Sequence, residues 1–105
     1  TIKKLFKEWK LESGELEFTL LRVELQANEK TINYELYDEY DKENNITSMA
    51  RTTGYTATAS INLILENLFI KKGVYPPERI SNNKKIFNFI LKYLSKRKVF
   101  LNKYI

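Results

Sequence analysis

FTLLRVELQANEKTINYELYDEYD, residues 18–41, is the stretch from which the fold can be read. Apolar and polar residues alternate from Phe18 onward: Thr19, Leu21, Val23, Leu25 and Ala27 share one face, and Phe18, Leu20, Arg22, Glu24 and Gln26 share the other. A period of two is the mark of a half-buried strand. The alternation resumes between Thr31 and Asp41, with Ile32, Tyr34 and Leu36 on one face. Asn28 and Glu29 lie between the two runs, and asparagine tolerates the positive φ that a two-residue turn demands. Closing the chain there sets Leu25 opposite Ile32, Val23 opposite Tyr34 and Leu21 opposite Leu36, while Arg22 meets Glu35 on the other side. Apolar and charged partners fall together in one register, so the pattern predicts an antiparallel hairpin over about 18–41.

Upstream, IKKLFKEWKL (residues 2–11) places Ile2, Leu5, Phe6 and Trp9 at helical spacing, which predicts a short amphipathic helix before a loop at Gly14. Downstream, the polar run DKENN (41–45) ends the alternation, and a passage rich in threonine, serine and alanine, ITSMARTTGYTATAS (46–60), follows. Ala57, Ile61, Ile64, Leu65, Leu68 and Phe69 then recur at three and four, predicting a mostly buried helix over about 55–70 with a stop at Gly73. Pro76 and Pro77 favour an extended stretch. Ser81 is the expected N-cap of a last helix whose stripe is Ile86, Phe87, Ile90, Leu91 and Leu94, and Val99 to Ile105 offers a final short strand. The sum is an α+β fold: a small antiparallel sheet, the hairpin plus that C-terminal strand, packed against two main helices and a short N-terminal helix.

The chain has 105 residues, enough for one modest core. It contains neither cysteine nor histidine, which removes disulfides, Cys/His zinc sites, cysteine nucleophiles and histidine bases. No apolar run approaches the roughly 18 residues of a membrane span, and Thr1–Leu11 lacks the continuous apolar stretch of a secretory signal. A cytoplasmic protein with no membrane partner is expected. Charge is unevenly spread: residues 71–105 carry 10 Lys and Arg against 1 acidic residue, while residues 1–70 carry 8 against 12. A basic block of this kind suits nucleic acid, but lysines on the wet face of a helix are the simpler reading.

The acidic group Asp38, Glu39, Asp41 and Glu43 lacks the glycine and ligand spacing of a calcium loop and reads as a solvated turn. With only Gly14, Gly54 and Gly73 in the chain, no glycine-rich dinucleotide cradle can be assembled. The passage that invites a site is Ser48 to Tyr55, where hydroxyls, Arg51 and Gly54 stand just ahead of the expected buried helix. Free amides, hydroxyls and a guanidinium at a helix N-terminus suit a carboxylate or phosphate. The simpler alternative is a capped helix start, with Thr52 or Thr53 satisfying the backbone and Arg51 paired with an acidic neighbour.

SMARTTGYTATA (48–59), followed by GVYPPERI (73–80) and an amphipathic helix, resembles the C-terminal region of the saccharopine dehydrogenase family. LFKEWKL (5–11), FTLLRVEL (18–25) and YELYDEYD (34–41) resemble the segments that precede that motif, so the likeness covers nearly the whole chain. Its most specific piece is MARTTGY followed by GVYPPE, and Asn28 stands where the family's hairpin would carry glycine.

The family includes saccharopine reductases and lysine 6-dehydrogenases, in which a nicotinamide cofactor exchanges hydride with an imine-forming amino acid. The resemblance therefore implies that residues 1–105 are one fragment, the end of the substrate-binding and dimerisation domain of a larger two-domain enzyme. It implies a missing N-terminal Rossmann domain that would hold NAD or NADP, an amino-acid substrate of the lysine or saccharopine type, and a homodimer. The fragment itself carries no cofactor and no catalytic residue, and alone would not transfer hydride. Arg51, Thr52, Thr53 and Gly54 are the implied substrate-binding shell, supported by Ser48 and Met49. The competing readings are a free-standing dimerisation module and a nucleic-acid binder working through the basic tail.

Overall fold

A computed structural model of the chain describes residues 1–12 and 14–105. The elements follow the order α1 (Ile2–Trp9), β1 (Phe18–Ala27), β2 (Lys30–Glu39), α2 (Ser48–Leu65), α3 (Pro77–Ile80), α4 (Lys84–Ser95) and β3 (Leu101–Tyr104). The three strands form one antiparallel sheet in the order β1-β2-β3, so the expected α+β architecture is what the chain adopts.

The hairpin register is the one that the alternation dictates: Leu25 pairs with Ile32, Val23 with Tyr34, Leu21 with Leu36, and Arg22 with Glu35. Asn28 and Glu29 both turn through positive φ, 47° and 66°, as a two-residue type I′ loop requires. β3 continues the sheet by pairing Leu101 with Leu36 and Lys103 with Tyr34.

The core gathers where this sheet meets the helices. Leu36, Leu94 and Val99 form its buried centre, with Tyr55, Ile90 and Leu101 packed around them. In α4 the expected stripe faces inward, with Ile86 and Leu94 buried and Lys84, Lys85, Lys92 and Lys96 exposed. Its N-cap is Asn83, whose side chain accepts from the Lys85 amide, and not Ser81; Ser81 instead closes α3, a single turn that Pro77 opens because a fixed φ suits the first helical position.

The helix expected over about 55–70 occupies Ser48–Leu65, and the shift has three physical causes. Thr47 caps its start, accepting from the Ala50 amide at 3.1 Å. The hydroxyls of Thr52, Thr56, Thr58 and Ser60 donate to carbonyls one turn back, so the polar run is absorbed into the helix. At the other end Asn67 adopts φ 56° while the Leu68 amide donates to Leu63 and the Asn67 amide to Ile64, a Schellman stop six residues before Gly73.

The buried face of α2 is also not the expected one. Ser48, Arg51, Ala59 and Leu63 are buried, whereas Ile61, Ile64 and Leu65 are exposed. Polar anchoring at the start of the helix sets its rotation, and its apolar residues follow. The short α1 forms with Ile2, Phe6 and Trp9 exposed and none of its residues buried. β1, expected to be half-buried, leaves Leu20, Leu21, Val23 and Leu25 exposed, because α2 and α4 cover only the end of the sheet near Leu36.

Candidate functional site

The point at which sheet and helices lock is a polar node. Asp38, near the end of β2, is 5% exposed, and Arg51, in the first turn of α2, is 8% exposed. Alternation along β2 turns Asp38 to the same face as Leu36, which aims the carboxylate under the start of α2. Arg51 Nε donates to Asp38 Oδ2 at 3.1 Å and Arg51 Nη2 donates to Asp38 Oδ1 at 3.2 Å, a two-pronged clamp. Nη2 also donates to the Arg97 carbonyl at 3.0 Å, just past the C-terminal end of α4, where the helix dipole favours a cation. Nη1 reaches Asp41 Oδ2 at 3.3 Å. One guanidinium thus ties together β2, the loop that follows it, α2 and the end of α4.

Ser48, wholly buried, sits beside the clamp: its Oγ donates to Asp38 Oδ2 at 2.7 Å and lies 2.8 Å from Thr19 Oγ1. Glu17 completes the shell from the segment before β1, its carboxylate accepting from the amides of Ser48 and Met49. An anion at these amides is what the helix N-terminus attracts, and the chain supplies its own.

Charge pairing shapes the titration here. The bond to Asp38 holds the Arg51 guanidinium above its ordinary pKa against the opposing effect of burial. Asp41 is held below the usual carboxylate range, chiefly by the Asn44 side chain and amide, with the Glu43 amide and Arg51 adding to the effect. Asp41 Oδ1 accepts from the amides of Glu43 and Asn44, and Asp41 also pairs backbone to backbone with Ile46. The acidic group therefore divides: Glu39 and Glu43 are solvated as expected, Asp41 is a turn former, and Asp38 is the buried counter-ion of Arg51. Among the described residues no group of three or more carboxylates is placed to hold a metal ion.

The motif residues are brought onto one helix but not onto one surface. Arg51 floors an open cleft of about 620 Å³ in which the loop at Asp41 and Glu43 faces Lys96 and Lys98. Thr52 and Thr53 line a second cleft of about 340 Å³, between α2 and the strands, with Thr19 and Leu21 opposite. Met49, Thr53 and Gly54 are exposed, and a side chain at Gly54 would meet nothing within 4 Å. Thr52 and Thr53 do not cap the helix; they stand one turn inside it.

Sequence reasoning missed Asp38, Thr19 and Glu17 as partners of the motif. The signal for Asp38 was its phase on the Leu36 face of β2, where a carboxylate must find a cation. The sheet is wholly antiparallel and the three glycines lie far apart, so the described residues do not form the strand–turn–helix that holds a dinucleotide. No helix of the described residues is long and apolar enough to cross a membrane.

Comparison with known proteins places these features in a family. No solved structure matches the chain. A family model, the saccharopine dehydrogenase C-terminal domain, matches residues 1–99, from α1 through the end of the core. The match takes in Ser48, Arg51 and their partners Glu17, Thr19 and Asp38, and on its extent the chain belongs to the saccharopine dehydrogenase C-terminal domain family.

Proposed function

We propose that residues 1–105 are the end of the substrate-binding domain of an NAD(P)-dependent oxidoreductase acting on the CH–NH group of an amino acid of the lysine or saccharopine type. The dinucleotide would be held by a Rossmann domain elsewhere in a longer cytoplasmic polypeptide, and this domain would enclose the substrate and contribute to a homodimer. Within it, Ser48, Met49, Arg51, Thr52, Thr53 and Gly54 would serve the substrate site from more than one side of α2. Arg51 and Ser48 are positioning residues, since their polar atoms are already engaged by Asp38, Asp41 and Thr19. Thr52 and Thr53, which line the cleft beside the strands, and the exposed Met49 and Gly54 are the residues that the substrate would touch.

The observation that supports this reading is the combination of a costly buried ion pair with a glycine that packing does not require. Burying Asp38 and Arg51 is a poor way to gain stability but a good way to fix the first turns of α2 in one place. Gly54 lies inside α2 with open space around its Cα, where alanine would favour the helix by about 1 kcal/mol. Glycine at this position leaves room for a molecule outside the fold.

The test is Gly54→Leu in the longer polypeptide, assayed for NADH- or NADPH-dependent turnover with an amino acid and an oxo acid. A several-fold rise in KM with an unchanged or raised melting temperature is expected. Unchanged KM returns the motif to a purely structural role, and no nicotinamide-dependent turnover at all removes the oxidoreductase reading.

A further inference from the structure

The start of α2 carries three kinds of group that suit a carboxylate: the amides of a helix N-terminus, the guanidinium of Arg51 and a run of hydroxyls. The folded chain uses up all three. The Ser48 and Met49 amides donate to Glu17, the Ala50 amide to the Thr47 side chain and the Arg51 amide to the Thr47 carbonyl. The guanidinium is divided among Asp38, Asp41 and the Arg97 carbonyl.

The hydroxyls follow the same rule. Thr52 Oγ1 donates to the Ser48 carbonyl at 3.0 Å, and Thr56 Oγ1 donates to the Thr52 carbonyl at 2.7 Å. Ser48 gives its one proton to Asp38, so the 2.8 Å contact between Ser48 and Thr19 is made with the proton of Thr19. A hydroxyl whose proton is spent can still accept a hydrogen bond, but it cannot hold a carboxylate. Of the four threonines around the cleft between α2 and the strands, Thr53 alone makes no such bond among the described residues, and it stands exposed at the rim.

What these residues build instead is an apolar slot. Leu36, Leu94 and Val99, the buried centre of the core, line the cleft from below, and Leu21 stands on its strand side. Its volume of about 340 Å³ lies at the small end of the range for small-molecule sites, about 300–1,000 Å³. No charged side chain lines it. A carboxylate or an ammonium seated there would leave water without an equal partner, whereas a run of methylene groups gains by leaving water.

We infer that this cleft takes the aliphatic chain of the amino-acid substrate, while the substrate's carboxylate and amino group lie beyond it, no deeper than Thr53. The inference rests on the proposed substrate site and adds which part of the substrate the motif reads. Thr56 and Leu21, facing each other across the cleft, then set the length of chain that is accepted.

The test uses the longer polypeptide and four straight-chain amino acids with no second charge: alanine, 2-aminobutyrate, norvaline and norleucine. Each is measured as a competitive inhibitor of nicotinamide-dependent turnover and by the rise in melting temperature that it causes, since a ligand of the folded state stabilises it by mass action. Binding should tighten about fourfold with each added methylene, or roughly sixtyfold from alanine to norleucine. Thr56→Leu, at an exposed helical position where leucine is the better helix former, narrows the cleft and should flatten the series. Thr52→Val keeps the shape of the side chain and should keep the slope.

A flat series in a protein that turns over overturns the inference and leaves the oxidoreductase reading standing. A slope unmoved by Thr56→Leu puts the aliphatic chain elsewhere and overturns it as well. So does an equal loss for all four amino acids in Thr52→Val and Thr53→Val, which would mean that the hydroxyls hold the carboxylate. Absence of turnover removes the oxidoreductase reading; melting temperatures that still rise with chain length, and cease to do so in Thr56→Leu, would then uphold the cleft by themselves, and melting temperatures that do not rise would remove both.

Discussion

The two ends of the β1–β2 hairpin share one sequence pattern and differ in almost everything else. Near Leu36 and Asp38 the inner face is roofed by α2 and α4, and both residues are buried. Toward the turn, Val23, Leu25 and Ile32 continue the same apolar line, yet Val23 and Leu25 are exposed. Period-two alternation reports which residues share a face of a strand. Whether that face is covered depends on where the next element lands, and α2 lands where Asp38 and Glu17 hold its first turn. In this molecule a polar node decides which part of an apolar surface becomes core.

That contrast is most open to attack at the node. Arg51→Ala leaves the Asp38 carboxylate buried without its cation and frees the Arg97 carbonyl, and removal of one partner of such a pair costs about 3–5 kcal/mol. A loss of this size, measured by urea denaturation, is expected. Arg51→Lys should recover little of it, because an ammonium cannot hold Asp38, Asp41 and the Arg97 carbonyl from one planar fork. A loss under 1 kcal/mol for Arg51→Ala would mean that the apolar contacts around Leu36 alone seat α2.

The next test sets the covered end against the uncovered end with the same substitution. Leu36→Ala, at a position 8% exposed, should cost about 3 kcal/mol, within the usual range for a buried leucine. Leu25→Ala, at a position 51% exposed, should cost less than about 1 kcal/mol in the dilute chain. Equal losses at both positions in dilute solution would show that the distal hairpin has a cover of its own within the chain.

The same division explains what was legible in the sequence. Strand pairing, register and the stripe of α4 follow from local periodicity, and all three stand as read. The helix boundaries of α2 were not legible from apolar spacing, because hydroxyl side chains that bond back to their own helix look like loop composition. Its buried face was hidden for another reason: Arg51 and Ser48 point inward toward partners supplied by distant segments, while Ile61, Ile64 and Leu65 point out. Hydrophobicity alone assigns those faces the wrong way round. The motif itself was visible as a dense patch of unusual residues, but Asp38 becomes its partner only once β2 is folded and its phase is known. Thr52 and Thr53 look like caps in one dimension and prove to be one turn too far along.

The smallest expected effect lies at the tip of the uncovered end. Glu29 is held at φ 66° in a turn that needs positive φ at both central residues, and a glutamate has no local hydrogen bond to repay that conformation as asparagine has at φ 47°. Replacing it with glycine relieves about 1–2 kcal/mol of backbone strain and loses about 0.4–1 kcal/mol through the greater freedom of the unfolded chain. Glu29→Gly should therefore stabilise the protein by roughly 0.5–1 kcal/mol, with the register of the hairpin unchanged by amide exchange. The sign is what matters. A gain shows that the turn closes as part of the cooperative unit that includes Leu36, so strain at the tip is felt by the core. No change, with the Asn28–Lys30 amides exchanging freely in both proteins, would show that the distal hairpin opens on its own.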